Sequence, residues 1–134
     1  MIRKTYLLSV GLLFSVSILF AQGSKSLTDA EYYFSVKSYD QALPKFLEVI
    51  QGGEKNPLVH YKAGVCYQKM FDLSDQVKAI PYFEYALQNG KEIPTTLHYD
   101  LGTLYLKDEN IPKATASFVK FKELTNKADK KAIA

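Results

Sequence analysis

The sequence has one cysteine, no tryptophan and two histidines in 134 residues. A lone Cys66 forms no intramolecular disulfide, so packing rather than cross-linking must hold the fold. Its setting, Gly64-Val65-Cys66-Tyr67, is apolar and predicts a buried, inert thiol. A zinc site needs three or four ligands, and no cluster of ligand residues supplies them. His60 and Cys66 lie six apart on one helical pattern and point to different sides, which argues against a Cys–His nucleophile pair. Gly52-Gly53 lacks a following lysine and hydroxyl residue, so it is a turn and not a phosphate loop. Asp108-Glu109 and the Asp72/Asp75 pair fall in predicted turns, where solvated caps explain them. The expectation is a protein with no catalytic apparatus, no cofactor and no metal.

Strong charge of one sign is lacking too. The formal net charge is +3, from 17 basic and 14 acidic residues. No basic footprint for nucleic acid or for a membrane surface stands out. Long apolar runs are confined to the start. Arg3 and Lys4 precede the apolar run Leu7 to Phe20, and Ala21-Gln22-Gly23 supplies small residues for a peptidase. That is the three-part pattern of a secretory signal, with cleavage expected after Ala21 or Gly23. The run is short of the roughly 20 residues of a membrane span. No cysteine follows it, so the usual bacterial lipoprotein anchor is excluded. Residues 1–23 therefore read as a signal peptide, and residues 24–134 as one soluble domain with no membrane span. The expected location is the periplasm or cell envelope of a bacterium, or the outside. Once Arg3 and Lys4 leave, 15 basic residues face 14 acidic ones. The remaining chain has little net charge. With 47% apolar and 13% aromatic residues overall, the composition is that of a folded chain.

What is present is a repeat of about 37 residues, a period typical of stacked helical units. His60-Tyr61-Lys62-Ala63-Gly64-Val65-Cys66-Tyr67 aligns with His98-Tyr99-Asp100-Leu101-Gly102-Thr103-Leu104-Tyr105. Ala42-Leu43-Pro44-Lys45-Phe46 aligns with Ala79-Ile80-Pro81-Tyr82-Phe83, and Ala114 with Phe118 keeps the spacing in a third copy. Ala30 and Tyr33 hold the glycine and tyrosine places of the first copy. Pro57 and Pro94 follow Ala42 and Ala79 at one common distance.

In these residues the chain resembles the tetratricopeptide repeat family, over about residues 24–124. His60 and His98 stand where that family has tryptophan, and the second copy carries extra residues around Asp72 to Gln76. The two histidines hold equivalent places, which favours shared packing duty over metal binding. The resemblance implies an all-α fold of tandem helix–turn–helix repeats stacked as a right-handed solenoid. The repeats fall at about 24–56, 57–93 and 94–126. Residues 127–134 form either a capping helix or the start of a further repeat. First helices are expected at about 27–36, 57–70 and 94–107, and second helices at about 40–51, 76–89 and 111–124. Ser26 and Asp29 suggest a capping box. Gly52-Gly53 and Asn89-Gly90 are stop signals. Pro57 and Pro94 suit the first turn of the next helix, and Pro44 and Pro81 should sit within or beside the first turn of theirs.

The family's ligands lie along the first helices, on the concave face. By resemblance the groove would be lined by Glu31 and Phe34, with Leu27, in the first repeat. The second contributes Tyr61, Lys62, Val65, Gln68 and Lys69. The third contributes Tyr99, Asp100, Thr103, Leu106 and Lys107. Tyrosines, aliphatics and charges of both signs suit an extended or helical peptide, and tyrosine is a common anchor. Equally, Tyr61 and Tyr99 suit packing on neighbouring helices. Co-chaperone members clamp terminal carboxylates with basic residues. Of the matching positions here (Leu27, Glu31, Lys62, Thr96, Asp100) only Lys62 is basic, which argues against such a ligand. The sequence thus implies an exported interaction module with a protein or peptide partner. The alternative is a structural segment at the front of a larger envelope-assembly protein.

Overall fold

The computed structural model describes residues 25–133. The expected signal peptide lies outside them. Among the described residues there are helices and turns and no strand. In chain order they are α1 (25–35), α2 (Tyr39–Gln51), α3 (Pro57–Gln68), a short α4 (Leu73–Gln76), a 3-10 turn (Val77–Ala79), α5 (Ile80–Asn89), α6 (Leu97–Lys107) and α7 (Ile111–Ile133). They form three consecutive helix pairs: α1 with α2, α3 with α5, and α6 with α7. The fold is the all-α stack of tandem helical repeats that the period implied.

The repeat motif is visible as one recurring contact. Phe83 is fully buried, and its ring lies so near Gly64 that a Cβ added there would sit 2.5 Å from two ring carbons. Gly102 meets Phe118 in the same way, at 2.6–2.8 Å. Glycine inside a helix costs about 1 kcal/mol relative to alanine. Here that cost is offset by ring burial of about 1.5–3 kcal/mol per aromatic. Two apolar clusters result. The first gathers Ala30, Ala42, Phe46, Val59, Ala63 and Cys66; the second gathers Ala79, Phe83, Ala86, Leu97, Leu101, Leu104 and Ala114. Half-buried Tyr67 packs against both and joins them.

The turns explain how the chain reverses within one pair. At the end of α1, Lys37 N–H donates to the Phe34 carbonyl and Ser38 N–H to the Tyr33 carbonyl. At the end of α6, Glu109 and Asn110 donate to Leu106 and Tyr105. Both are Schellman closures, and each puts its pivot residue in the left-handed region, Lys37 at φ 60 and Glu109 at φ 58. The α2 helix closes in the same manner around Gly53, at φ 99.

Several local expectations need correction. Ser26 and Asp29 lie inside α1 and make no capping box at a helix start there, and Ser26 is buried. Pro57 does open α3, with the Asn56 side chain accepting from Leu58 N–H. Pro94 does not open α6. Its carbonyl accepts from Leu97 N–H at 2.9 Å in a turn, and the helix begins at Leu97. Pro44 is deeper than the first turn, as the sixth residue of α2. It costs the Asp40 carbonyl its helical donor, and both residues are exposed to water there. The continuous helix expected over 76–89 is broken. Pro81 has no N–H for the Val77 carbonyl, and Ile80 N–H takes that acceptor instead, tightening Val77–Ala79 into a 3-10 turn. Finally, α7 runs on through Ile133 without a break near residue 124. No glycine or proline interrupts it, and Thr125 Oγ1 bonds back to the Phe121 and Lys122 carbonyls.

Two stability changes are expected. Phe83→Ala should cost about 3–5 kcal/mol, read by chemical denaturation; a loss below 1 kcal/mol would remove Phe83 from the core. Glu109→Gly should add about 0.5–1 kcal/mol, because glycine takes a positive φ without steric cost. A fall in midpoint for that variant would contradict the strain argument.

Candidate functional site

Side chains at i, i+4 and i+7 share one helix face. That spacing aligns Leu27, Glu31 and Phe34 on α1, Tyr61, Val65 and Gln68 on α3, and Tyr99, Thr103 and Leu106 on α6. Contacts show that the three first helices stand side by side. Lys62 Nζ reaches Glu31 Oε2 at 2.5 Å, bridging α3 to α1. Gln68 Nε2 donates to Asp100 Oδ1 at 3.1 Å, bridging α3 to α6. Lys107 Nζ donates to Gln76 Oε1 at 2.5 Å, joining α6 to α4.

These bonds sort the candidate residues. Glu31 and Lys62 neutralise each other, and the Lys62 ammonium also lies 5.7 Å from the centre of the Phe34 ring. Phe34 turns into the first cluster, edge-on to Tyr39 and Phe46. Val65 packs against the second cluster. Thr103 Oγ1 donates to the Tyr99 carbonyl of its own helix. Lys69 and Lys107 are exposed. The tyrosines differ. Tyr61 is half-buried, with its ring 5.9 Å from that of Phe83. Burial, and then the charge of Asp100, push its phenol above the usual range. Tyr99 leans on Phe118 and Phe121 at 5.5 and 5.6 Å, yet 53% of it stays exposed. Leu106 is 47% exposed. The face that remains shows Tyr99 and Leu106 to water beside exposed Lys69 and Lys107, and Glu31 and Lys62 form its one ion pair among the described residues.

Gln76 was absent from the sequence-based residue set. It comes from the extra segment of the second repeat, and only tertiary contact brings it to Lys107. The same segment leaves Phe71 fully in solvent. Its insertion relative to the other repeats was the one available sign.

The remaining chemically interesting groups are structural. His60 is buried, stacks on Tyr85 at 3.8 Å, and hydrogen-bonds through Nε2 to the Glu54 carbonyl at 3.1 Å, which assigns its proton to that nitrogen. His98 is half-buried, and burial followed by the Lys120 charge lowers its pKa. Cys66 is fully buried, and burial pushes its thiol up to about 12, far from a reactive thiolate. Tyr105 donates to Glu84, which also binds Lys113 at 3.1 Å, and so locks α5 to the third pair. The Tyr105 bond, more than Lys113, holds the Glu84 carboxyl below its usual pKa. Among the described residues no three metal-ligating side chains come together, and no helix is long and apolar enough to cross a membrane.

No protein-family model and no curated protein matches the chain. Solved structures do. A MamA mutant superposes with a TM-score of 0.65 at 22% identity, covering 78% of this chain and 55% of that one. MamA AMB-1 superposes with a TM-score of 0.63 at 23% identity, covering 75% and 53%. The chain thus spans about half the length of these MamA chains. The likeness establishes a shared fold, a stack of helical repeats of the tetratricopeptide type.

Proposed function

We propose that the protein is an exported, non-enzymatic interaction module that holds a peptide or protein partner against the inner face of its first helices. The observation that carries this reading is the exposure of Tyr99 and Leu106 on the face that half-buried Tyr61 shares, where the Glu31 and Lys62 charges pair across a repeat boundary. Large rings with a polar tip make good anchors, because they bury much area at small entropic cost. The fold shared with MamA supports the architecture on which such a face is built. Export rests on the charged start, apolar run and small residues of positions 3–23.

Two experiments test the reading. Tagged mature protein should capture a partner from extract of its own cell envelope, and Tyr99→Ala should weaken that capture about tenfold while helicity stays constant. Tyr61→Ala should weaken it as well, with some loss of stability because Tyr61 also packs on Phe83. Capture untouched by both changes would rule out this face. For export, mass spectrometry of the protein from the envelope fraction should give a new N-terminus just after Ala21 or Gly23. An intact Met1 and Arg3 on cytoplasmic protein would refute it.

A further inference from the structure

The boundaries inside the stack are built from the same places of each pair. In α1 these places are Leu27, Glu31 and Phe34. Leu27 and Phe34 pack on the first cluster, which holds Val59, Ala63 and Cys66 of α3, and Glu31 pairs with Lys62. One repeat on, the places fall on Tyr61, Val65 and Gln68 of α3. Tyr61 and Val65 pack on the second cluster, which holds Leu97, Leu101 and Leu104 of α6, and Gln68 bonds to Asp100. A further repeat on, they fall on Tyr99, Thr103 and Leu106, and among the described residues no fourth pair covers them. The second helices agree. Leu47 of α2 packs on the first cluster and Glu84 of α5 accepts from Tyr105 of the next pair, whereas Val119, in their place on α7, is exposed.

The opposite end carries the other half of such a boundary. Cys66 and Met70 of the second repeat join the first cluster, and their places in the first repeat hold exposed Tyr32 and Val36. Of the nine large apolar residues exposed among the described residues, five lie on these two faces: Tyr32, Val36, Tyr99, Leu106 and Val119. Like charges do not oppose a contact, since Lys25 and Asp29 of the α1 face have opposite signs and the α7 face adds Lys122 alone. Stacked repeats set the outgoing face of one pair on the incoming face of the next. Here both unused faces belong to one chain.

We infer that Tyr99 and Leu106 of α6, with Val119 of α7, seat the first helix of a second copy through Tyr32 and Val36, so that the stack continues from one protomer into the next. The inference names the partner at the third-repeat end of the inner face and rests on the inner-face reading above. Lys25, Asp29, Thr115 and Lys122 dilute both faces, so single protomers stay in solution and the contact is weak. The two faces differ, so pairing is head-to-tail, and a dimer still has one free face of each kind.

Sedimentation velocity of the mature protein tests this. Between about 10 µM and about 1 mM, the range of weak contacts, the mass should rise with concentration past that of a dimer. Val119→Lys blocks one face and Tyr32→Lys the other. Each variant alone, with an unchanged circular dichroism spectrum, should associate at least about tenfold more weakly, because the contact would bury an unpaired charge. Mixed in equal amounts, the two variants still offer one intact face of each kind, and they should form a heterodimer and nothing larger. A wild-type mass that stays monomeric over the whole range would overturn the inference. Association that neither substitution weakens would overturn it too, as would a mixture no heavier than its separate components. If the protein stays monomeric while Tyr99→Ala still weakens capture of a different protein from envelope extract, the second copy is ruled out and the inner-face reading stands.

Discussion

The contact of a phenylalanine ring with a missing side chain is the constraint from which the rest follows. Gly64 leaves room for Phe83, and Gly102 leaves room for Phe118. Because the ring needs that space, the two helices of a pair lie close, and the small residues Ala42, Ala79 and Ala114 complete the approach. Close pairing in turn fixes the register of each first helix. Position i+4 from Tyr61 falls on the face that includes Val65, and position i+7 on Gln68. Without the ring contact, Gln68 would have no reason to meet Asp100 across the repeat boundary. The inner face is thus a consequence of core packing.

The fold was legible because its signals are local and repeated. A small residue, an aromatic one turn on, and a second small residue recur at a fixed period, and each carries a steric meaning. Helix existence followed, as did the packing roles of His60 and Cys66. Legibility failed where a backbone group had to find a new partner. Pro81 in sequence looks like Pro44. Yet Pro44 sits in an unbroken helix, while Pro81 follows an inserted segment whose Val77 carbonyl turns to Ile80 N–H. Pro94 looks like Pro57, but Thr95 and Thr96 lie in a turn ahead of α6. The site was legible as a set of positions and not as a state of charge. Nothing in the spacing says that Lys62 turns to Glu31, or that Gln76 leaves its own segment to meet Lys107.

The end faces show the same logic in reverse. Val59, Ala63 and Cys66 of α3 are buried in the core, and so are Leu97, Leu101 and Leu104 at the same places of α6. In α1 those places hold Lys25, Asp29 and Tyr32, and Tyr32 is 63% exposed. On the second helices, Leu43, Leu47 and Ile50 of α2 pack into the first cluster. The same places of α7 hold Thr115, Val119 and Lys122, all exposed. Repeat stacks need polar outer layers to stay in solution, and both outer layers here are largely polar.

On the inner face, too, apolar surface at Tyr99 and Leu106 is exposed. Polar end residues satisfy the solvent, and buried rings satisfy the core. Tyr99 and Leu106 differ from both: Leu106 is 47% exposed, and Tyr99 keeps 53% of its surface in water although its ring also leans on Phe118 and Phe121. Around them Glu31 pairs with Lys62 across one repeat boundary, and the Gln68 and Gln76 amides meet Asp100 and Lys107. Polar bonds between repeats thus stitch the first helices together while Tyr99 and Leu106 remain open to water.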